Sequence, residues 1–313
     1  MRAMAINEFG GSDRIELMDL PEPKVGPDSV LIAVKAAGLN PVDFKTREGK
    51  QQDRFPYRFP LILGWDAAGV VAAVGPAVVG LKEGDEVVAY CRKTELAEGT
   101  YAERVSMPAG AVALKPPSAS WAQAGALPLA GLTAWQALVE ALEVSADQTI
   151  AIGAAAGGVG HLAVQIAAAR GAEVIGIASA ANHDFVRSLG ADHVIDYHDG
   201  DVAEELHELH AGGIDAAFDL YGGDALEALR NAVRPGGRIA SIAQPDPAGD
   251  RGDLTGRYVF VRPSARGLYE LSQLVEDGRL RVEVAREYPL EEAAAAQDHL
   301  QDGHVRGKLV LTV

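Results

Sequence analysis

Cysteine is nearly absent: Cys91 is the only one in 313 residues. A lone thiol excludes an internal disulfide and cannot by itself build the four-thiolate lobe of a structural zinc site. A reducing, cytoplasmic setting is the expectation. Long apolar runs are missing too. Met1 to Leu20 alternates apolar with charged residues, unlike a secretory signal, and no later stretch approaches the ~18 uninterrupted apolar residues of a membrane helix. No membrane partner is expected. Positive charge is scarce, with 28 Lys+Arg against 44 Asp+Glu, a formal net charge of −16 and only eight lysines. Such a chain repels a phosphate backbone, so no nucleic-acid partner is expected. Any local anion site must come from a few placed Arg, His and backbone N–H groups.

What is present is ordinary for a folded protein: 48% hydrophobic and 23% charged residues. The length favours two domains at ~100–200 residues each. Up to about Leu114 the pattern is short strands broken by Gly, Pro and Asp: Ser29 to Ala36, Gly69 to Val74, Glu86 to Tyr90 and Tyr101 to Val105. Turn signals at Gly26-Pro27, Gly75-Pro76 and Gly84-Asp85 have the spacing of a small barrel. Lys115-Pro116-Pro117-Ser118 marks a boundary, because consecutive prolines continue neither a helix nor a central strand.

Beyond it strand and helix alternate. Thr149 to Ile152, Glu173 to Ile177, Val194 to Asp196, Ile214 to Leu220 and Arg238 to Ile242 read as strands. Val159 to Arg170, Asp184 to Leu189, Val202 to His210 and Ala225 to Val233 read as helices. This rhythm predicts an α/β fold with a parallel sheet covered on both faces. Asp246 to Gly256 reads as a loop, Tyr258 to Val261 as one further strand and Leu268 to Glu276 as a helix. The tail from Leu280 supplies a strand, a helix over Glu291 to Leu300 and a last strand, Lys308 to Val313.

The strongest local signal is Gly153-Ala154-Ala155-Ala156-Gly157-Gly158-Val159-Gly160, which follows a strand and opens a helix. That is the context of a turn that cradles a dinucleotide's phosphates. Gly157 lets the backbone approach a pyrophosphate, Gly160 lets the helix approach the strand, and the helix N-terminus offers free N–H groups. The acidic residue that would end the second strand and bind an unphosphorylated ribose is missing. Ser179, Asn182 and His183 stand there instead, so a 2′-phosphate is acceptable and NADPH is the expected cofactor.

At this point the sequence resembles the zinc-free quinone oxidoreductase group of the medium-chain dehydrogenase/reductase superfamily, over nearly the whole chain. The carriers are Ala36 to Asp43, Ala67 to Val71, Gly84 to Val87, Gly131 to Trp135, Ala154 to Gly160, Leu189 to Asp192, Ile195 to Tyr197 and Gly307 to Leu311. The resemblance implies a GroES-like β-barrel domain (1–117), a doubly wound, Rossmann-type parallel-sheet domain (118–278) and a C-terminal segment (279–313) that returns to the first, with catalysis in the cleft between the domains. It also implies that Asn40 lies beside the nicotinamide and orients the reacting groups, and that Thr133 contacts the nicotinamide side. Ala155, Gly157, Gly158 and Val159 would form the phosphate turn, Ser179, Tyr197 and His183 would surround the ribose phosphate, and Arg306 and Lys308 would meet the cofactor. Many relatives place a lysine near the position of His183. In the zinc branch the Cys, His and Cys ligands would fall near Asn40, Trp65 and Leu129, none of which is a usual zinc ligand.

Other residues carry bland readings. His207 and His210 lie three apart on a helix with acidic neighbours, which suits a solvated face better than a metal. Cys91 reads as a buried strand-end thiol. Tyr57 and Asp43 are conceivable proton donors or orienting groups, with Asp43 better explained as the anchor of its own loop. The expected function is metal-independent hydride transfer from NADPH to a quinone or an α,β-unsaturated carbonyl, a small electron-poor substrate. The alternative is a catalytically weak NADPH-binding sensor or structural protein. The resemblance further implies a homodimer joined edge to edge through Tyr258 to Val261.

Overall fold

A computed structural model describes every residue from Met1 to Val313. By their packing the residues form two compact units, one of Met1–Leu132, Arg262–Gly278 and Val282–Val313, the other of Thr133–Val261 and Arg279–Arg281. The sequence boundaries at 117 and 278 follow changes of pattern. Packing instead assigns 118–132 and 262–278 to the first unit, because helices there lie on its strands.

The first unit opens with β1 (Arg2–Ile6), β2 (Glu16–Asp19), β3 (Ser29–Gly38), helix α1 (Pro41–Arg47), β4 (Leu61–Ile62), β5 (Asp66–Val74), β6 (Glu86–Tyr90), β7 (Arg104–Pro108) and β8 (Val112–Leu114). Helix α2 (Trp121–Ala126) follows, and α3 (Pro128–Trp135) carries the chain into the second unit. Pro41 occupies the first position of α1, where its missing N–H costs nothing. β3 is the spine: it pairs antiparallel with β5 on one side and, along different stretches, with β7 and the last strand on the other. α2 lies against β3, and a Cβ at Gly38 would meet the Gly125 carbonyl at 2.5 Å, so only glycine permits that approach.

The strand expected over Tyr101 to Val105 runs instead from Arg104 to Pro108. Residues 101–103 are shared with a different sheet: Met4 donates to the Tyr101 carbonyl, Ala3 bridges Ala102 and Glu103 donates to the Arg2 carbonyl. The chain changes partners at that point, which period-2 apolarity does not register.

The second unit contains β9 (Thr149–Ile152), α4 (Gly160–Ala169), β10 (Glu173–Ile177), α5 (His183–Ser188), β11 (His193–Ile195), α6 (Val202–Leu209), β12 (Ile214–Asp219), α7 (Gly223–Ala232), β13 (Val233–Ser241) and β14 (Thr255–Tyr258). The strands are all parallel, in the order β11-β10-β9-β12-β13-β14. This is the 3-2-1-4-5-6 order of a doubly wound sheet. Its core includes Ala151, Ile175, Ile195, Ala217 and Ile239, with Leu206 and Leu226 from the covering helices. The edge strand expected over Tyr258 to Val261 lies three residues earlier. Thr255-Gly256-Arg257 is too polar to read as a strand, yet an edge needs only one bonded side, and its register with β13 sets Tyr258 opposite Ser241.

The chain then returns through α8 (Ala265–Glu276), β15 (Val284–Pro289), α9 (Ala293–Asp302) and β16 (Lys308–Thr312). β16 lies between β15 and β3, so the tail is an interior strand of the first unit.

Candidate functional site

Two centres emerge, one in each unit. In the second unit, β9 ends in the glycine-rich turn. Ala154 takes φ +45°, the Gly157 amide donates back to the Ala154 carbonyl at 2.9 Å, and α4 begins at Gly160. A Cβ on Gly160 would stand 2.1 Å from the Ala154 oxygen, so helix and strand meet here only because that atom is absent. A Cβ on Gly157 would meet nothing closer than that same oxygen at 3.3 Å. The Ala155 amide is spent on the Ile177 carbonyl, and the His161 amide on that of Gly157. Gly158 and Val159 make no such bond, and their amides stand where a helix start attracts an anion. Of the four turn residues expected at the phosphates, Ala155 and Gly157 thus have their amides engaged within the fold, while Gly158 and Val159 keep theirs open.

The carboxyl ends of β10 and β11 bring Ser179, His183 and Tyr197 into one neighbourhood through Asp196. The Asp196 carboxylate accepts from the Ala180 amide at 2.7 Å, the His198 amide at 2.9 Å and the His198 ring at 3.0 Å. These donors, the His198 amide foremost, hold its carboxyl below the ordinary range. Ser179 Oγ accepts from Asn182 at 3.1 Å, and the His183 ring turns back to the Ala178 carbonyl at 3.2 Å. Tyr197 is half exposed and stacks on His198, ring centroids 4.1 Å apart.

Sequence reasoning missed the next pair of loops. Asp219, buried at the end of β12, accepts from the Tyr221 and Gly222 amides and from Ser241 Oγ, and that hydroxyl accepts in turn from the Ala243 and Gln244 amides. The signal was an acidic residue ending an otherwise apolar strand, which has to find donors when buried.

In the first unit a sealed polar group surrounds Asn40. Its carboxamide nitrogen donates to Asp66 Oδ2 at 2.8 Å and weakly to the Gly38 carbonyl at 3.4 Å, while its oxygen accepts from Lys308 Nζ. Lys308 also donates to the Leu39 carbonyl and stands 4.0 Å from Asp66. Asp66 Oδ1 accepts from the Leu129 amide at 2.7 Å. Asp43 Oδ2 accepts from the Asn40 amide at 2.8 Å and from the Tyr101 hydroxyl at 2.9 Å, so Asp43 does anchor its own loop. Burial lifts Asp43 to about 7, against its hydrogen bonds, and Asp66 to about 6, against the pull of Lys308. Burial also draws Lys308 below the ordinary lysine range and pushes Tyr101 well above the tyrosine range.

The structure thus joins Asn40 to Lys308 and separates Lys308 from Arg306. Lys308, expected to meet the cofactor, is buried with its ammonium bonded to Leu39 and Asn40; Arg306 is exposed, 3.6 Å from Glu283. Thr133 is buried in α3, where the chain enters the second unit. Tyr57 belongs to an aromatic rim with Phe9 and Phe59, centroids 4.8 and 5.6 Å away. Cys91 is buried, and burial raises its thiol. His210 pairs with Glu173 at 3.3 Å, while His207 is exposed. No three His, Cys, Asp or Glu side chains converge as a metal site would require. Nor is any helix long and apolar enough to cross a membrane.

The chain is similar to known proteins along its whole length. A family described as "Alcohol dehydrogenase GroES-like domain" matches residues 26–117, and one described as "Zinc-binding dehydrogenase" matches 189–311. The NADPH-dependent alkenal/one oxidoreductase, chloroplastic, of Arabidopsis thaliana is 35% identical over 99% of this chain and 79% of its own. Among solved structures, an NAD-dependent alcohol dehydrogenase superimposes with a TM-score of 0.90 at 34% identity, covering 100% of both chains. The Escherichia coli quinone oxidoreductase complexed with NADPH does so with a TM-score of 0.87 at 27% identity, again over 100% of both.

Proposed function

Because the chain belongs to the medium-chain dehydrogenase/reductase superfamily, in its zinc-independent quinone oxidoreductase group, we propose that it is an NADPH-dependent reductase of quinones or α,β-unsaturated carbonyls. The observation that carries this reading is the glycine turn on a 3-2-1-4-5-6 sheet, with Ser179 after β10, where an NAD-selective chain would present a carboxylate, and Tyr197 after β11. Bound NADPH supplies the hydride. Gly158 and Val159 would receive its phosphates on backbone N–H groups, Gly157 would let the backbone approach them closely, and Ser179, Tyr197 and His183 would face the phosphorylated ribose. Thr133 and Asn40 position the reacting groups. Zinc ligands are replaced by Asn40, Trp65 and Leu129, so a carbonyl is not polarised by a metal and the substrate must already be electron-poor. Positioning alone can supply roughly 7–11 kcal/mol in favourable cases.

The protein is proposed to work in the cytoplasm without nucleic acid, as its acidity favours, and as a homodimer through the β14 edge. A monomeric mass at micromolar concentration would remove the dimer. The test of function is NADPH oxidation against a panel of quinones, alkenals and enones, with ethanol and NADP⁺ alongside. Faster turnover of ethanol than of every acceptor overturns the reading. Stoichiometric NADPH binding with no turnover anywhere on the panel makes the protein a sensor.

A further inference from the structure

The first unit seals three ionisable side chains around Asn40: Asp43 from α1, Asp66 from β5 and Lys308 from β16, all with relative exposures of 4% or less. Two carboxylates and one ammonium leave a net negative charge among buried side chains, an expensive arrangement. One bound proton removes it. The hydrogen bonds say where that proton sits. Both oxygens of Asp66 already accept donors, from Leu129 and from Asn40. Asp43 accepts two donors on Oδ2, while its Oδ1 is buried with no partner.

The other groups facing this cluster do not change the count. Tyr101 from the segment before β7 and Tyr90 from β6 are buried phenols kept neutral, since burial raises both. Arg47, one turn along α1, is committed to Gln297 and Gln301 of α9, to the Gly10 carbonyl and to Glu48. Asn40 itself is gripped from both ends, nitrogen to Asp66 and oxygen to Lys308, which leaves its carboxamide a single orientation.

We propose that Lys308 and Asp66 are positioning residues that clamp the Asn40 carboxamide, and that Asp43 holds the one proton that keeps this sealed group neutral. The catalytic half of this inference rests on the reductase reading, whereas the proton does not. Ionising Asp43 adds an uncompensated negative charge and draws on the ammonium that otherwise serves Asn40. Burial places that ionisation near neutrality, with Asp43 at about 7.

The experiment compares the full-length protein with Asp43→Asn, Asp66→Asn, Lys308→Met and the double variant Asp43→Asn/Asp66→Asn. Infrared spectra of the cofactor-free protein at pH 6 should contain the carbonyl stretch of a buried protonated carboxylic acid. It should vanish in both single Asp variants, because the remaining carboxylate then balances Lys308. For the same reason each single variant should stay folded, while the double variant, with Lys308 unbalanced, should lose more thermal stability than the two losses combined. In NADPH oxidation, kcat should fall roughly tenfold or more in Asp66→Asn and Lys308→Met with unchanged NADPH affinity. The decline of kcat as wild type is taken through pH 7 should flatten in Asp43→Asn. Absence of the acid band, or additive losses in the double variant, overturns the shared proton. Wild-type kcat in both Asp66→Asn and Lys308→Met overturns the clamp. If wild type reduces no acceptor, the reductase reading fails while the infrared and stability results still decide the proton.

Discussion

Asn40 and Asp66 meet at 2.8 Å inside the first unit, the amide nitrogen donating to the carboxylate, and this contact consumes the better of the amide's two hydrogens. The carboxamide is therefore held in one orientation and is not a free donor.

The first prediction follows from that fixity. Asn40→Ala should lower kcat roughly tenfold or more while leaving NADPH affinity within about twofold, since the phosphate cradle belongs to the other unit. Steady-state kinetics with NADPH titration separate the two effects. A variant that loses NADPH binding and keeps kcat would place Asn40 in the cofactor site instead.

A second concerns pH. Asp43, at about 7, and Asp66, at about 6, bind protons more tightly folded than unfolded, so stability from these two groups declines as pH rises from about 4 to 7 and is level above. Asn at position 43 mimics the protonated acid. The melting temperature of Asp43→Asn relative to wild type should thus climb across that window, by an amount on the order of a few kcal/mol in stability. A difference that is flat with pH would contradict the assignment.

Gly160→Ala forces a carbon to within 2.1 Å of a main-chain oxygen, and neither neighbour is a flexible side-chain tip. We expect a loss of roughly 1–3 kcal/mol or more, read by thermal melting, together with weakened NADPH binding as α4 is pushed from β9. Gly157→Ala, with 3.3 Å of room, should fold almost normally and fail chiefly at the cofactor.

Ser179→Asp tests cofactor choice. A carboxylate there repels a 2′-phosphate, so kcat/KM with NADPH should fall by an order of magnitude or more while that with NADH falls less. Unchanged selectivity would mean that the ribose phosphate does not lie at the β10 end.

Much of this was legible beforehand. β9, β10 and α6 lie where apolar periodicity set them, because buried parallel strands are short apolar runs and an amphipathic helix repeats its burial. The glycine turn was legible for the same local reason. The Asn40 cluster was not. Lys308 opens the last expected strand and is implied by resemblance as a cofactor contact, and only the pairing of β16 with β3 turns its ammonium inward. Asp66 carried a hint, a lone acid in an apolar run, without saying which distant cation answers it. Polar residues such as Thr255 and Arg257 hid β14, since strand formation at an edge depends on its partner more than on its own side chains.

The place of β16 has a consequence for the order of assembly. Asn40 and the lysine that holds it are separated by 268 residues of chain, whereas Thr133–Val261 is nearly continuous. During synthesis the Rossmann-type unit can gather its sheet while the first unit still lacks an interior strand and, with it, the only cation of the sealed cluster. Asp43 and Asp66 must wait in a loosened, hydrated nascent barrel until residue 308 emerges. An affinity probe for the folded first unit should therefore gain signal only once residue 308 is clear of the ribosome.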